Sequence, residues 1–479
     1  MPTRRDFFAT SALGLGALPA LGMAAGAGGE SKTADVSRQL AKTDPVAARL
    51  YETIRDMPVD DTHCHPISDR DKVMTRDSFI ERIALSAFPG PDYFPKGVYD
   101  QWHSGDERTR ADLDRRYQVG KRLATINNHF AESVFTRFMV KEMASFLGCE
   151  PRFEAVIEAR NSHQSNYYGY VNSLFRDVNI ENAMIDTGYA DGLDAAGVRK
   201  FSEAIKPTRT RLIARVETIQ YELLEKKLPF DEMRDTFVKR VRDALDGTGN
   251  FGDRSYGMKS YLLPAVGVIK PVYDATAAAQ SYQELLAANA KPFEDREVQQ
   301  RQGKVFLEYL LTLALEECLE RDMPMQFHAG DGEAPSVILR NQQPYYLEEF
   351  VRFDRDGLMR MPKIIPIHAG YPLVGEAAWL SHLYANCYFE LSLMTPFIHQ
   401  GLTRRYLEIM EAVPLSKILF GSDAYHLPEL YWLAARWGKR FLSQALAVYV
   451  TEGVLSEDEA LEGARMILYK NNRAVYNIN

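Results

Sequence analysis

Cysteine is scarce in this chain of 479 residues, and its spacing limits the folds that need to be considered. None of the cysteines belongs to a Cys-x-x-Cys pair, so the sequence offers no paired-thiolate zinc motif. Their wide separation also gives no sign of the dense disulfide framework of small secreted proteins. The four residues are Cys64, Cys149, Cys318 and Cys387.

Basic runs, long apolar runs and repeats are missing as well. No long Lys/Arg run follows the first few residues, and the formal net charge is −8, which excludes nucleic acid and an anionic membrane surface as expected partners. Beyond the N-terminal segment there is no apolar run of about 18 or more residues, so no stable membrane span is expected. No repeat of about 20–50 residues is visible, which argues against a solenoid.

The first 29 residues have the pattern of a twin-arginine export signal. Arg4 and Arg5 precede an Ala/Gly/Leu-rich stretch that ends in the small residues Ala25, Gly26 and Ala27. A paired-arginine head, a mildly apolar middle and a small-residue end are typical of a removed signal. We expect cleavage after Ala27 and a folded protein in the periplasm. A membrane anchor is the alternative, which the short, glycine-rich stretch disfavours.

The remaining chain predicts one large domain. Residues 30–58 read as a lead-in followed by an N-terminal helix, and residues 59–479 as a barrel. Several extended segments are continuously apolar and stop at a polar or glycine-bearing end, as buried parallel strands do, and helix-like segments separate them. The pattern predicts an α/β fold, a (β/α)8 TIM barrel, with a doubly wound open sheet as the alternative. The eight predicted strands are 59–65, 179–189, 210–218, 255–261, 323–330, 363–370, 387–393 and 417–423.

Two insertions interrupt the alternation. Residues 66–178 carry helical periodicity and follow the first strand, so we expect a helical cap over the barrel mouth that shapes the substrate pocket. Residues 270–299 are rich in Ala and Gln and predict a helix with a linker.

Two histidines close the first predicted strand, one residue apart. Side chains on a strand alternate faces, so His63 and His65 point the same way, and Cys64 points away from them. Two imidazoles that reach into one small volume can bind a divalent cation. A pair of surface or helix-cap histidines is the alternative.

Further polar residues end the later strands. All eight carboxyl ends of a barrel meet at one face, so these side chains are expected to converge with the histidine pair. Neutral imidazoles and a carboxylate suit a borderline divalent metal, which lowers the pKa of water, and a carboxylate beside it can accept the proton. The convergent set is Arg215 and Glu217 on strand three, Lys259 on strand four, His328 on strand five, His368 on strand six and Asp423 on strand eight.

The expected roles differ within this set. His368 can polarise a carbonyl or stabilise a developing oxyanion. Arg215 can hold a substrate carboxylate at two points, or form a salt bridge to Glu217 or another acid in the barrel. Glu217, Lys259 and Tyr371 are the other expected substrate-binding residues. Asp331, Glu333 and Arg340 are further candidates for the pocket lining, with a solvated loop as the favoured alternative for Asp331 and Glu333.

Four phrases in the chain resemble the amidohydrolase superfamily, in particular its amidohydrolase-related group, which includes non-oxidative decarboxylases. The resemblance looks strongest to the amidohydrolase domain fused to glutamine-synthetase-like proteins of the nodulin type, where strand four has a phrase similar to Gly-Met-Lys-Ser at 257–260. It spans most of residues 59–476. The four phrases are Asp-Thr-His-Cys-His at 61–65, Gln-Phe-His-Ala-Gly at 326–330, Ile-His-Ala-Gly-Tyr-Pro at 367–372 and Phe-Gly-Ser-Asp-Ala at 420–424.

This resemblance implies a ligand set. His63, His65, His328 and Asp423 would hold the metal, with Asp423 also carrying the proton and His368 facing the substrate in a one-metal site. In two-metal relatives a carboxylated lysine ends strand four, so Lys259 would bridge two ions there, with His368 a ligand as well. We favour one ion, zinc first and manganese second.

The resemblance also implies the reaction. We expect a metal-dependent hydrolase that attacks a small carbonyl substrate, such as an amide or a lactone, with metal-activated water. A metal-dependent non-oxidative decarboxylase, which is a C–C lyase, is the alternative. A sugar-acid isomerase and a metal-binding protein without catalysis are weaker readings.

Overall fold

The structure is a computed structural model, and it describes residues 34–478 except for a few short gaps. The predicted export signal, the cleavage point after Ala27, and the loop candidates Asp331 and Glu333 lie outside the described residues. The gaps are 88–93, 96–97, 99–100, 103–104, 189, 191, 250–252, 290–301, 331–338, 355–356 and 358–359.

Eight parallel strands form the predicted barrel. Strands β1 to β6 pair in sequence order as one sheet, and β7 pairs with β8. A bridge between Ile364 and Cys387 joins β6 to the β7 segment. The barrel closes between β8 and β1, where Thr62 N donates to Phe420 O at 3.0 Å. The strands are β1 Val59–Cys64, β2 Ile180–Asp186, β3 Arg209–Arg215, β4 Ser255–Ser260, β5 Met325–His328, β6 Ile364–Ile367, β7 Phe389–Glu390 and β8 Ile418–Leu419.

Most strand residues are buried, because each strand separates the barrel centre from an outer helix. The centre is packed by side chains from several strands, among them Met184, Ile213, Ile365, Ile367 and Leu419, all fully buried. A filled centre leaves the polar strand ends as the place for chemistry.

Helices surround the barrel in the described parts of the chain. The long α19 packs against the N-terminal helix α2 and closes the ring. The helices outside the cap are α1 Ala34–Thr43, α2 Pro45–Ile54, α9 Ala195–Ala204, α10 Val216–Leu224, α11 Phe230–Asp246, α12 Leu262–Val266, α13 Ala275–Ala287, α14 Lys304–Glu320, α15 Glu348–Val351, α16 Val374–Leu383, α17 Met394–Phe397, α18 Leu402–Met410, α19 Pro428–Thr451, α20 Glu457–Arg465 and α21 Asn471–Val475. No helix among the described residues is both long and apolar enough to cross a membrane.

The insertion after β1 is helical, as predicted. Its contact with the barrel includes a buried ion pair, in which Arg160 Nε donates to Glu429 Oε1 at 2.6 Å and each side chain is 1% exposed. Tyr170 Oη donates to the same carboxylate oxygen at 2.9 Å. The cap therefore rests on the first turn of α19. Its helices are α3 Arg76–Ala87, α4 Glu107–Tyr117, α5 Val119–Ala131, α6 Val134–Leu147, α7 Phe153–Asn161 and α8 Tyr167–Asp177.

The C-terminal segment closes the other end of the barrel. Arg473 Nε donates to Asp60 Oδ2 at 2.7 Å, and Asn472 Nδ2 donates to Thr62 Oγ1 at 2.8 Å. These bonds fix α21 beneath β1, so the end of the barrel opposite the histidines is plugged by polar contacts.

Several segments differ from the sequence prediction, and the later strands are shorter than expected, with β7 limited to Phe389–Glu390. The lead-in contains a helix, α1, because Val36 and Leu40 bury their side chains. The third strand ends at Arg215, and Glu217 already lies in the first turn of α10. The eighth strand is limited to Ile418–Leu419, because the chain beyond it turns away to bond with β1.

Candidate metal centre

The end of β1 brings His63 and His65 to the barrel mouth. His63 is fully buried and His65 is 5% exposed, and their ring centroids lie 5.2 Å apart. The backbone around them is bonded to the segment after β8: Asp423 N donates to His63 O at 2.8 Å, and His65 N donates to Ala424 O at 2.9 Å. Barrel closure thus places the aspartate directly beside the histidine pair.

Asp423 faces both histidines with one carboxylate oxygen. Its Oδ1 lies 3.1 Å from His63 Nε2 and 3.2 Å from His65 Nε2, while Oδ2 lies 3.8 Å from His368 Nδ1. The residue has φ of +52°, a region that non-glycine residues rarely adopt. Such backbone strain persists where surrounding bonds hold it, and it is common at functional sites.

His368 and His328 form the next layer. His368 Nε2 is 3.0 Å from His328 Nδ1, and His368 Nδ1 is 2.9 Å from Ser392 Oγ. His328 Nε2 is buried and has no hydrogen-bond partner among the described residues. Neither group of described side chains with metal-ligand spacing contains His328, whereas His368 belongs to one of them through its position beside Asp423.

The imidazoles are held neutral. Burial, reinforced by the Lys259 ammonium, lowers the pKa of His63 to about 4. Burial also holds the pKa of His328 and of His368 well below the usual histidine value. Neutral imidazole is the form that binds a metal, so these rings are ready for coordination without losing a proton.

Asp186, at the end of β2, is a site residue that the sequence reasoning missed. Its carboxylate is fully buried, and Oδ2 accepts from Arg215 Nε at 3.1 Å and lies 3.5 Å from Lys259 Nζ. Burial acts to raise its pKa, but the Arg215 and Lys259 charges hold that pKa well below the usual aspartate value. The sequence feature that could have identified Asp186 is its position at the end of a short apolar run, Met184-Ile185. Asp423 ends the predicted eighth strand in the same way.

Lys259 lies inside the site. Its ammonium is 3.5 Å from His63 Nε2, and the residue is 2% exposed. Burial and the Arg215 charge lower the pKa of Lys259. The side chain therefore has direct access to whatever His63 binds.

The expected pairing of Arg215 and Glu217 on one strand face is wrong. Arg215 forms a salt bridge with Asp186, so the alternative role, an ion pair with another acid of the barrel, is the one observed. The helix that starts at Val216 turns Glu217 away from Arg215. Glu217 Oε1 accepts from Ser260 Oγ at 2.7 Å and from Tyr261 N at 2.8 Å. Glu217 Oε1 thus joins the start of α10 to the end of β4, and the expected substrate contact of Glu217 stays a prediction.

Tyr371 has a different environment from the other expected substrate residues. It is partly buried against the core, and the guanidinium carbon of Arg405 lies 5.6 Å from its ring centre. Its role toward substrate stays a prediction. Tyr261 is better placed, because its ring centroid is 4.6 Å from that of His328.

Two buried acids support the ligand backbone from behind. Asp61 Oδ1 accepts from Ser422 N at 2.9 Å, next to Asp423. Glu390 Oε2 accepts from His368 N at 3.0 Å and from Ser392 Oγ at 2.7 Å. A Cβ atom on Gly421 would lie 1.8 Å from Glu390 Oε1, so the glycine is required for this carboxylate to fit.

The donor set fits a divalent metal. Donors at about 2.0–2.1 Å from a tetrahedral zinc ion are about 3.3 Å from one another, close to the spacing of Asp423 Oδ1 from the two Nε2 atoms. Two groups of three side chains have donor atoms within 4.8 Å of one another, and both contain His63. One adds His368 and Asp423, and the other adds His65 and Asp186.

Comparison with known proteins agrees with this geometry. The family model described as Amidohydrolase matches residues 290–478, which include His328, His368 and Asp423. Protein fluG of Emericella nidulans is 28% identical over 159 residues, which are 33% of this chain and 18% of fluG. The matched part thus spans less than a fifth of that relative's length, and the resemblance to nodulin-type fusion proteins stays a prediction.

Solved structures share the whole barrel. A Lactobacillus casei protein assigned as a metal-dependent hydrolase superposes with a TM-score of 0.69 at 22% identity, covering 89% of this chain and 97% of that one. Glucuronate isomerase from Caulobacter crescentus superposes with a TM-score of 0.57 at 15% identity, covering 91% of this chain and 95% of that one. The predicted barrel and the resemblance to the amidohydrolase superfamily are confirmed.

Substitution of the ligands should lower metal content in a defined order. We expect His63→Asn and His65→Asn to weaken metal binding by more than about a hundredfold, since loss of groups behind metal ligands already costs about 10–100-fold. His368→Asn should also weaken binding, because His368 belongs to a group with metal-ligand spacing, whereas His328→Asn should retain most of the metal. Elemental analysis after dialysis against a weak chelator measures this order. His129→Asn, in the exposed part of α5, is the matched control. Full metal content in His63→Asn would contradict the assignment.

Glu390 should make the stability of the metal-free protein depend on pH. Burial raises the pKa of Glu390 to about 8, so the folded state holds a proton that the unfolded state releases near its ordinary value. This stabilisation is complete below the unfolded pKa and is lost as pH rises through the folded pKa. The thermal midpoint should therefore fall between about pH 4.5 and about pH 8 and level off above that range. Glu390→Gln should flatten that fall, and Glu232→Gln, on exposed α11, should not. An equal slope in wild type and Glu390→Gln would refute the assignment.

Proposed function

We propose that this chain, an enzyme of the amidohydrolase superfamily, is a metal-dependent hydrolase of a small carbonyl substrate such as an amide or a lactone. The observation that carries the proposal is the position of Asp423, which presents Oδ1 to His63 and His65 and leaves Oδ2 at the mouth. One group can then both complete a metal site and move a proton.

Each side chain of the site has a separate role in the proposed reaction. The chemistry that a divalent ion supplies in such a site is a lowered water pKa and a polarised carbonyl. Asp423 Oδ2 can accept the proton of the attacking water and return it to the leaving group. The oxygen on which charge develops needs a hydrogen-bond donor, and both nitrogens of His368 are already engaged with Ser392 and His328. Lys259 Nζ, 3.5 Å from His63 Nε2, can bind the same oxygen or orient the substrate.

The environment of Arg215 favours hydrolysis over decarboxylation. A decarboxylase must bind the carboxylate of its substrate, and Arg215 was the residue expected to do so. Its guanidinium is instead bound to Asp186, where its side chain is 10% exposed. Arg215 therefore contributes to the charge balance of the site and is not free to bind a substrate carboxylate.

The charges also favour one metal ion. The buried acids Asp186 and Asp423 are matched by the cations Arg215 and Lys259, so a second divalent ion would add charge with no added anion. Carboxylation of Lys259 would change this balance and is the two-metal alternative. We propose zinc as the ion, with manganese second, because imidazole and carboxylate ligands suit both.

Asp423→Asn tests the proposed chemistry. The amide can still bind a metal through oxygen but cannot accept a proton, so we expect kcat to fall by about 10²–10⁴ with most of the metal retained. Turnover would be measured on a panel of amides, lactones and carboxylic acids, together with metal content. Asp274→Asn, the cap of α13, is a matched control that should keep full activity.

The outcomes separate the candidate functions. Unchanged turnover in Asp423→Asn would refute the proton transfer. Release of carbon dioxide from a carboxylic acid without incorporation of water would instead assign a decarboxylase. A chain that turns over nothing but keeps its metal would be a binding protein.

We further propose that the chain is exported to the periplasm by the twin-arginine route, on the sequence pattern of residues 1–29. Changing both Arg4 and Arg5 to Lys should retain the protein in the cytoplasm with its signal attached. Cell fractionation and N-terminal sequencing measure this, with Gly28 expected as the first residue of the exported form. Export of the double variant as efficient as that of an Arg108→Lys control would contradict the proposal.

A further inference from the structure

A basic cleft lies at the other end of β3, away from the metal centre. It has a volume of about 980 Å³ and runs between α9, the start of β3 and the segment that leads into β4. The cleft is basic although the chain has a net charge of −8. Its acidic residues are Glu203 and Asp253, and its basic residues are Arg199, Lys206, Arg209, Arg211 and Arg254.

Two of the arginines flank a single tyrosine in this cleft. The guanidinium carbon of Arg211 lies 5.4 Å from the ring centre of Tyr256, and that of Arg254 lies 5.3 Å from it. The ring attracts each cation and holds both guanidinium groups in the same cleft. An anion bound in the cleft beside them would offset their positive charges.

Arg211 also has unused donor capacity. Its Nη1 donates to Asn182 Oδ1 at 2.5 Å, whereas its Nε is buried and has no hydrogen-bond partner among the described residues. Within those residues, Arg211 and Arg254 make no ion pair, in contrast to Lys206, which is 3.3 Å from Glu203. A buried guanidinium donor without an acceptor is costly, and a ligand or ordered water in the cleft is the direct way to satisfy it.

The cleft is separate from the metal centre. Arg209 begins β3 and Arg215 ends it, so the two ends of this strand are about 20 Å apart at about 3.3 Å per residue. None of the residues that line the cleft belongs to the groups that can hold a metal. Binding at one site can therefore be measured with the other site disabled.

From these observations we propose that the cleft binds a small oxyanion, in which phosphate or carboxylate oxygens contact the forks of Arg211 and Arg254. Planar guanidinium groups match two oxygens of such an anion, and charge assistance makes these bonds the strong ones. A long nucleic acid is not the expected ligand of the cleft, because the positive charge is confined to one cleft on an acidic protein.

Isothermal titration of the mature, metal-loaded protein with inorganic phosphate, sulfate and malonate tests the proposal. At least one of these anions should bind with a dissociation constant in the millimolar range or tighter, about 1 mM or below. Arg254→Gln, an exposed position, and Arg211→Gln should each weaken that binding by about tenfold or more. Arg108→Gln, on the exposed face of α4, is the matched control and should bind as wild type does.

The metal-site variant His63→Asn distinguishes the two anion positions. Binding that persists in His63→Asn and is lost in Arg254→Gln supports the cleft. Binding lost in His63→Asn but kept in Arg254→Gln would place the anion on the metal and overturn the proposal. No binding of any of the three anions up to about 10 mM would overturn it as well. Preference for malonate or for phosphate would identify which oxyanion class the cleft selects.

Discussion

The site depends on buried carboxylates that tie the end of one barrel strand to the next. Strand ends lose their ladder partners as the chains turn away, so their backbone N–H groups need other acceptors when they are buried. Asp61, within β1, accepts from Ser422 behind Asp423, and Glu390 accepts from the backbone of His368. Glu217 does the same for Tyr261 after β4. Metal ligands on irregular backbone are thereby held in fixed positions, which a preorganised site needs.

The same carboxylates carry a large desolvation cost, and the site offsets it in two ways. Asp186 is matched by the charges of Arg215 and Lys259, so it stays ionised although fully buried. Glu390 has no cationic partner among the described residues, and burial raises its pKa to about 8 instead. Removing one partner of such a buried group costs far more than the pair contributes, because the remaining charge or donor is left unsatisfied.

The sequence could predict the fold and most of the central residues because strand alternation and barrel geometry fix them. His63 and His65 share a face by period two, and Asp423, at the eighth strand end, meets them because barrels place all carboxyl ends together. Asp186 escaped prediction, since an acid after an apolar run carries no sign of which neighbour it will face. Glu217 was misplaced for a related reason. The direction of the Glu217 side chain depends on whether the chain continues as a strand or starts a helix at Val216. Tertiary packing decides between the two.

The cap is fixed to the same segment that carries Asp423. Arg160 and Glu429 form an ion pair with 1% exposure on each side, only six residues after Asp423. Replacing either partner by an uncharged residue would leave the other charge buried and unpaired, at a cost of about 3–5 kcal/mol. Tyr431, one half-turn further, also donates to the carbonyl oxygen of His65. The cap helices are thus joined by buried polar contacts to the segment that carries Asp423, and that segment is joined in turn to the backbone of His65.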